Sequence, residues 1–450
     1  MAQDTSHTSC PQVGTGQVNE VIEVNEPEKD SPTPPKAFTA IPFSALRDGS
    51  AFDQVFTEEG KPYWIKYSPG GAQCILDENE AGIPITLQSP EDVTLASGVG
   101  SLQSPEDLLG RITGMLKRVH QFSSDNEAIF LALYSLGTWT YDLFPHVGYA
   151  AISGNPGSNK SGLLFAVEQL VLGGLKVSGS ATDAVIFRRL DQIRGTFIQD
   201  ESQQEANSSS SRLHKILAEG NTFNGRVEIA VPVKNDDYKA KKYHAFGPKI
   251  FACREVHDDE AILSRTTELN LPVLAEAPCL EDYSQEKWRS DAVKLRNDLL
   301  LYRQRKRLGE LRMPAIDYES HLGSLKLTGR ERQVYLWLFG TAPTVESLRS
   351  LCSLISQQRE KLTEDRMHLP ETQILLVCLE FGAPVPFSRI AQAASRQGNL
   401  VTPRIVGKVL RRNHLTVSRR NAGPVLTASR AQIRQALARL GISLPPEGGS

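Results

Sequence analysis

Nine residues in the first half of the chain have the types and spacing of a loop that binds phosphate. The segment GNPGSNKSG spans residues 154–162 of 450. Such a loop points backbone N–H groups at phosphate oxygens, while a lysine neutralises the β- and γ-phosphates and a hydroxyl holds Mg²⁺. The residues expected around the phosphates are Gly154, Gly157, Ser158, Asn159, Lys160 and Ser161. The segment therefore predicts a nucleotide site with Mg²⁺.

Asn159 occupies the position before the lysine, where such loops usually have glycine. Asparagine accepts positive φ more readily than other non-glycine residues, so the loop can keep its shape. The Asn159 side chain could also contact a phosphate or an attacking water. An ordinary Gly/Ser turn before a helix is the competing interpretation, and the loop motif alone leaves both open.

Two acidic residues follow about 40 residues later, in the segment GTFIQDES. Hydrolysis assisted by Mg²⁺ needs one carboxylate near the metal and another that polarises water. Asp200 suits the first role and Glu201 the second, although Gln199 interrupts the apolar run before them. A solvated strand end is the alternative for an isolated pair, but its order and spacing after the loop favour a nucleotide site.

Two arginines come next in the chain. Arg254 ends the apolar run KIFAC, where a polar residue can sense the γ-phosphate. Arg265 follows a short acidic helix and could act as an arginine finger in a neighbouring subunit's site. The alternative for Arg265 is a surface ion pair with Asp258 or Asp259.

The elements that must position these residues alternate between strand and helix. VGYAAIS, GLKVSG and GTFIQD have the apolar, bounded character of buried strands, and SGLLFAVEQLVLGG has helical periodicity with a Gly-Gly stop. The hexapeptide LQSPED occurs at residues 87–92 and 102–107. Its second copy predicts a helix that starts at Ser104, with proline and acids in the first turn. The pattern predicts an α/β fold with a mainly parallel sheet.

Composition divides the chain into five parts. The predicted parts are a disordered tail at 1–36, a small β-rich domain at 37–100, an ATPase core with leading helices at 101–280, a helical lid or linker at 281–369, and a winged-helix domain at 370–445. The tail is rich in Ser, Thr, Pro and acids and has almost no aromatic residue, so it cannot bury enough apolar surface to fold.

Net charge and cysteines limit the class of protein. The formal net charge is −2, and the six cysteines have no metal-ligand spacing, which favours reduced thiols in the cytoplasm. The start of the chain lacks the charged and apolar regions of a signal peptide. The most apolar stretch, AIFLALYSLGTWTYDLF, carries polar residues and predicts a buried helix and no membrane span.

The carboxyl-terminal part is strongly basic. Residues 384–440 contain eleven Lys or Arg and no Asp or Glu, and charge of one sign over a folded segment indicates nucleic acid. TPRIVGKVLRRN would be the recognition helix of a winged helix, and LTVSRRNAGPVLTA its wing. The expected DNA contacts are Arg404, Lys408, Arg411 and Arg412 in the helix and Arg419 and Arg420 in the wing. A helical protein-interaction domain is the alternative.

Residues 225–247 predict a hairpin with a basic tip. Lys241 and Lys242 could track phosphates of DNA, and Tyr243 could stack on a base. A solvated charged hairpin is an equal alternative.

The segments YAAISGNPGSNKSGLL, FRRLDQIRGTFIQDES and HAFGPKIFACREVHDDEAILSRTTELNL together resemble the helicase-like P-loop ATPases of phages, plasmids and integrating elements. These are related in outline to superfamily 3 and AAA+-type helicases, and the likeness spans about residues 105–345. It implies a P-loop NTPase core that uses ATP and Mg²⁺. It also implies assembly into a ring, expected to be a hexamer, with sites between subunits and action on DNA.

By this resemblance, Lys160 and Ser161 match the nucleotide and Mg²⁺ ligands, and Asp200 and Glu201 match the second acidic motif. Arg265 resembles the arginine that acts in trans. A primase or a replication initiator is an expected partner, although the first 100 residues show no primase motif.

Two functions follow from these observations. The first is an ATP-dependent DNA helicase or translocase in the replication of a mobile genetic element. The second is a DNA-binding regulator or loader that uses ATP binding as an assembly switch, which the departures at Asn159 and Gln199 favour. An RNA-directed ATPase has no supporting stacking motif.

Overall fold

The computed structural model describes most of the chain. The described residues are 36–91, 93–177, 181–200, 212–232, 238–254, 259–273, 284–311, 325–395, 400–420, 423–442 and 444. The predicted tail therefore lies outside the described residues, except for Lys36.

An antiparallel sheet begins the described chain. Its strands, in the order β1-β2-β3-β4, are β1 Ser44–Arg47, β2 Ser50–Phe56, β3 Pro62–Tyr67 and β4 Gln73–Leu76, followed by the short helix α1 Glu78–Ala81. Asp48 and Gly49 form the turn between β1 and β2, and both have the positive φ that a tight two-residue hairpin turn requires. The expectation of a β-rich segment before residue 100 agrees with these strands.

Two helices precede the central sheet: α2 Pro105–Val119 and α3 Asp125–Thr138. The Ser104 side chain accepts a hydrogen bond from the Asp107 N–H at 3.0 Å, with Pro105 in the first turn, which confirms the predicted helix start. Helix α3 is apolar on all sides and its last nine residues are buried, because it lies inside the protein. Among the described helices, none combines the length and apolarity required to cross a bilayer.

The central sheet is built from the next strands and helices. In chain order these are β5 Tyr149–Gly154, α4 Lys160–Glu168, β6 Gly174–Val177, α5 Asp183–Ile193, β7 Thr196–Gln199, α6 Arg212–Glu219, β8 Arg226–Pro232, β9 Tyr238–His244, β10 Lys249–Cys253, α7 Glu260–Leu263 and β11 Thr266–Leu271. Five of them form a parallel sheet in the order β11-β5-β10-β7-β6, and β8 and β9 form a separate antiparallel pair. Burial of both faces explains the continuous apolar runs of β5 and β10.

The strand order decides which loops meet. Strand β10 lies between β5 and β7, and Cys253 is in register with Ser153 while Phe251 is in register with Gln199. All five strands run in the same direction, so the residues that follow β5, β7 and β10 emerge at one edge. In open parallel sheets, ligands bind outside the carboxyl ends of the strands, at the point where the strand order reverses.

In the described residues three helices follow: α8 Glu286–Arg307, α9 Gly329–Phe339 and α10 Val345–His368. Helix α8 carries Arg303, which is 0% exposed and donates to Asp53 of β2 at 3.0 Å and to Asp142 at 2.8 Å. Burial alone would raise the pKa of Asp142, but Arg303 and Arg307 outweigh burial and hold this pKa below its usual value. The buried cluster therefore joins the antiparallel sheet to α8 and to the segment that leads into β5.

One apolar core runs through most of the molecule, from Phe43 beside the first sheet to Ile355 of α10. The predicted boundaries at 100 and 281 stay predictions, and this core crosses both.

The last part of the described chain has a core of its own. Its elements are α11 Pro370–Phe381, β12 Val385–Pro386, α12 Phe387–Ser395, α13 Pro403–Arg412, β13 Val417–Arg420, β14 Gly423–Leu426 and α14 Arg430–Arg439, with the sheet order β12-β14-β13. Thr402 caps α13 by accepting from the Ile405 N–H at 3.3 Å, as the sequence predicts. The predicted turn at Asn421 and Ala422 lies outside the described residues.

Candidate functional site

The loop between β5 and α4 adopts a conformation that needs unusual backbone angles. Gly154 has φ +150°, and a Cβ added there would come within 2.6 Å of the Leu271 carbonyl oxygen and 2.8 Å of Ser158 Oγ. Gly157 has φ +89°, and Asn159 has φ +56° in the left-handed region. Asn159 therefore supplies the backbone geometry for which glycine is the ordinary residue.

The Asn159 side chain lies against its own protein. Its Nδ2 donates to the Val119 carbonyl oxygen at the end of α2 over 3.3 Å. Its Oδ1 lies so close over Gly162 that a Cβ at Gly162 would clash with it. This contact fastens the loop to α2, and the suggested contact of Asn159 with a phosphate or a water stays a prediction.

Lys160 begins α4 and folds back over the loop. Its Nζ donates to the Gly154 carbonyl at 2.6 Å and to the Asn155 carbonyl at 3.0 Å, and lies 3.4 Å from Ser158 Oγ. The ammonium group is thus held over the concave side of the turn, beside the first N–H groups of α4. These N–H groups and the helix dipole favour an anion at this place.

Residues from three neighbouring strands surround the loop at the carboxyl edge. Ser161 and Arg254 are exposed, and Asp200 is half-buried directly after β7. Glu201, the predicted residue that polarises water, lies outside the described residues. Burial and Glu268 raise the pKa of Cys253 to about 12 while Lys160 opposes them, so this thiol stays protonated and is no nucleophile.

The residues present fit a nucleoside triphosphate with Mg²⁺. An added Cβ at exposed Gly157 would meet no atom within 4 Å, so there is open space beside the loop for phosphate oxygens, and Ser161 and Asp200 are oxygen donors of the kind that Mg²⁺ prefers. Within the described ranges, no group of three or more His, Cys, Asp or Glu could hold a metal. Mg²⁺ bound with a nucleotide usually takes only one or two ligands from the protein and the others from phosphate oxygens and water.

Glu268 and Lys361 form a connection that sequence reasoning missed. Glu268 of β11 accepts from Ser153 Oγ at 2.5 Å, directly before the loop, and from Lys361 Nζ of α10 at 2.6 Å. Helix α10 is thereby tied to the residue that precedes Gly154. In the sequence, only the alternation in TTELNL indicated that Glu268 lies on a different face from its apolar neighbours. Nothing in the sequence distinguished Lys361.

Arg265 lies at the opposite edge of the sheet from the loop of its own chain. Its carbonyl oxygen accepts from the Tyr149 N–H at 2.8 Å, at the amino end of β5, whereas the loop follows the carboxyl end. Five strand residues separate these ends, which is about 17 Å. Arg265 therefore cannot reach the phosphates bound by its own loop.

The partners of Arg265 are neutral. Its Nε donates to Asn221 Oδ1 at 3.0 Å and its Nη1 to the Ala261 carbonyl at 2.5 Å. The alternative ion pair with Asp259 does not form, because that carboxylate lies 2.8 Å from His214 Nε2; Asp258 lies outside the described residues. Burial and the charge of nearby Arg330 lower the pKa of Arg265.

The β8–β9 hairpin exposes different residues from those expected. Tyr243 is only 4% exposed and its ring lies 6.0 Å from that of Phe187, so the predicted stacking of Tyr243 on a base is wrong in this structure. The strand enters the body of the protein at Tyr243, which is why the end of β9 is covered. Tyr238 is 67% exposed, beside the residues of the tip.

The two lysines of the hairpin also differ from each other. Lys242 lies 2.9 Å from Glu228, whereas Lys241 lies over the Tyr243 ring at 4.8 Å. Residues 233–237, which include the centre of the predicted tip, lie outside the described residues.

Most of the predicted DNA contacts in the carboxyl-terminal part lie at the surface. Exposed side chains are Arg404, Lys408, Arg411, Arg412 and Arg419. Arg412 also pairs with Glu371 at 3.3 Å. The side chain of Arg420 is outside the described residues.

Comparison with known proteins finds no family model that matches the chain and no curated protein that matches it. Among solved structures, one described as SCCmec type IV Cch, active helicase, is 13% identical over 91% of this chain and 96% of that chain, with a TM-score of 0.41. The NrS-1 C-terminal region is 13% identical over 85% and 97%, with a TM-score of 0.38. An inhibitor-bound JCV helicase is 14% identical over 56% and 66%, with a TM-score of 0.26. These values are too low to assign a family or an activity.

Proposed function

We propose that the protein is an ATP-dependent DNA helicase or translocase that acts in the replication of a mobile genetic element. The observation that carries the proposal is the position of β10 between β5 and β7. This order gathers Lys160, Asp200 and Arg254 at one edge of a parallel sheet, although the sequence separates them by up to 94 residues. A lysine, a carboxylate and an arginine around a helix amino terminus suit the transfer of a phosphoryl group.

ATP bound with Mg²⁺ would supply the phosphoanhydride whose hydrolysis releases free energy. In the proposed site, Lys160 would exchange its loop carbonyl acceptors for phosphate oxygens, and Ser161 and Asp200 would hold the metal. Glu201 would orient the water, and Arg254 would contact the γ-phosphate from the neighbouring strand end. The tie between Asn159 and Val119 keeps the loop in place while these groups act.

The position of Arg265 supports a ring of subunits, which we take to be a hexamer. An arginine about 17 Å from its own loop cannot serve the site of its own chain, so we assign it to the site of another copy. A head-to-tail interface that closes on itself presents the amino edge of one sheet to the carboxyl edge of the next. Arg265 then stabilises the charge that develops during hydrolysis in the neighbouring site.

DNA would contact the hairpin and the carboxyl-terminal part. Tyr238 replaces Tyr243 as the aromatic residue that can stack on a base, and Lys241, on the other face of β9, can contact a phosphate. In the carboxyl-terminal part, α13 and the β13–β14 hairpin have the arrangement of a recognition helix and a wing, so we interpret residues 370–442 as a winged helix. Exposed arginines such as Arg404 and Arg411 would contact duplex DNA.

The rate of ATP hydrolysis with and without DNA tests this function. The wild-type chain should hydrolyse ATP faster with DNA, whereas Lys160→Ala and Glu201→Gln should reduce hydrolysis to background. Turnover no higher than that of Lys160→Ala, together with normal ATP binding, would instead support the regulator that uses ATP as an assembly switch.

A further inference from the structure

A cleft of about 610 Å³ opens between four helices of the carboxyl-terminal part. Its walls are the end of α10, the first turn of α11, the second half of α13 and the end of α14. This volume is in the range of sites for small ligands. We call it the basic cleft because Arg366, Lys408, Arg412 and Arg439 line it.

The charges of the basic cleft are not balanced. Glu371 is the one acidic side chain in its lining, and it is already engaged by Arg412 at 3.3 Å and by Asn413 Nδ2 at 2.7 Å. Within the described part of the chain, Arg366, Lys408 and Arg439 have no ion pair. Cations gathered around a concave surface create a positive potential that attracts an anion.

The first turn of α11 adds hydrogen-bond donors to the same cleft. Leu369 is the N-cap and offers no side-chain acceptor, and Pro370 has no N–H. The N–H group of Glu371 therefore has no acceptor within the helix, and the dipole of this 12-residue helix is positive at this end, whereas the other three helices of the cleft turn their carboxyl-terminal parts toward it.

A buried hydroxyl provides an independent sign of a missing partner. Thr372 lines the cleft and is 0% exposed, and its Oγ1 has no hydrogen-bond partner. Buried hydroxyls without a partner are uncommon in native proteins, since they cost free energy that a ligand or a water would recover.

We propose that the basic cleft is a phosphate-binding site, in which the first turn of α11 and the surrounding cations hold the phosphate. The phosphate can come from the backbone of DNA or from a free phosphate ion. The DNA source rests on the proposed function, because it needs the carboxyl-terminal part to bind DNA, whereas the free ion does not.

The test uses the full chain with Lys160→Ala, so that the loop at β5 contributes the same weakened background in every sample. The cleft variant adds Arg366→Gln and Arg439→Gln. The matched control adds Arg47→Gln and Arg349→Gln, which remove the same charge from exposed positions away from the cleft. Circular dichroism and the melting temperature establish that each protein is folded.

The first arm measures affinity for a short duplex as a function of KCl concentration. If the cleft holds a DNA phosphate, the cleft variant lowers the slope of log affinity against log salt by about 1, because one neutralised phosphate is lost. The control variant keeps the slope of its parent.

The second arm measures the melting temperature in inorganic phosphate against chloride at equal ionic strength. If the cleft holds the free ion, phosphate raises the melting temperature of the parent and the control but not of the cleft variant. A response in either arm supports the site and identifies the source. Absence of a difference between cleft variant and control in both arms overturns it.

Thr372→Val gives a second test that keeps the charge and the shape of the side chain. It should weaken the response in the same arm and raise the melting temperature without ligand, because a buried unpaired hydroxyl is removed. A higher melting temperature with unchanged binding in both arms would show a merely structural site. If the chain binds no DNA at all, the proposed function fails while the phosphate arm still decides the cleft.

Discussion

Two inactive variants of the protein should restore each other's activity when they are mixed. Lys160→Ala removes the phosphate contact of the loop, and Arg265→Ala removes the arginine at the opposite edge of the sheet. Because about 17 Å separates these edges along β5, Lys160 and Arg265 of one chain must act in two different active sites. A complete site then combines Lys160 of one subunit with Arg265 of its neighbour.

The size of the recovery follows from this arrangement. Each variant alone should lose activity, by about 10³–10⁵ for an arginine of this kind. In a ring assembled at random from equal amounts, about one site in four has both groups, because two independent choices must each be right. Coupling between sites lowers this value, but the mixture should still far exceed the sum of its components.

The assay is steady-state ATP hydrolysis with DNA, after the variants are dissociated and reassembled together. The matched control mixes Lys160→Ala with Arg254→Ala. Arg254 follows β10 at the same edge as the loop, so both changes affect the same site and no combination repairs it. The reasoning is refuted if Arg265→Ala keeps full activity, or if its mixture with Lys160→Ala is as inactive as the Arg254 mixture.

Three further predictions concern the fold and the ligands. Arg303→Met should lower the free energy of unfolding by ~3–5 kcal/mol in denaturant titrations, since it leaves buried carboxylates unpaired. As a control, Arg305→Met at a half-exposed position should lower it by under ~1 kcal/mol. Equal losses for the two variants would contradict this prediction. Asn159→Gly should weaken ATP binding by no more than about tenfold in a fluorescent-nucleotide titration, because glycine keeps the positive φ but loses the hydrogen bond to Val119, worth ~0.5–1.5 kcal/mol. Asn159→Val should abolish binding in the same titration, because valine does not accept positive φ. Tyr238→Ala should weaken single-stranded DNA binding by ~1–3 kcal/mol in anisotropy titrations, and Tyr243→Phe should leave it unchanged; the reverse ranking would reject the stacking role of Tyr238.

The local features of the site could be predicted because they depend on neighbouring residues. Ser104 and Thr402 are helix caps in the structure as in the sequence, since capping needs only a hydroxyl and a following first turn. The left-handed conformation of Asn159 follows likewise from its place in the loop.

The contacts that define the site over long distances could not be predicted. Nothing in the sequence says that β10 inserts between β5 and β7, or that Lys361 of α10 bonds to Glu268, 93 residues away. The position of Tyr243 illustrates the same limit. Alternation places it on the face of Lys241, but the base of the hairpin is covered by α5 while the outer part is open.

Strand displacement from a forked DNA duplex tests the central proposal most directly. The wild-type chain with ATP and Mg²⁺ should release the displaced strand, and the Lys160→Ala chain should not, because it lacks the lysine that contacts the phosphates. Release should also stop when ATP is replaced by an analogue that cannot be hydrolysed. Release by Lys160→Ala at the wild-type rate, or none by a wild-type chain that hydrolyses ATP faster with DNA, would contradict a helicase driven by this site.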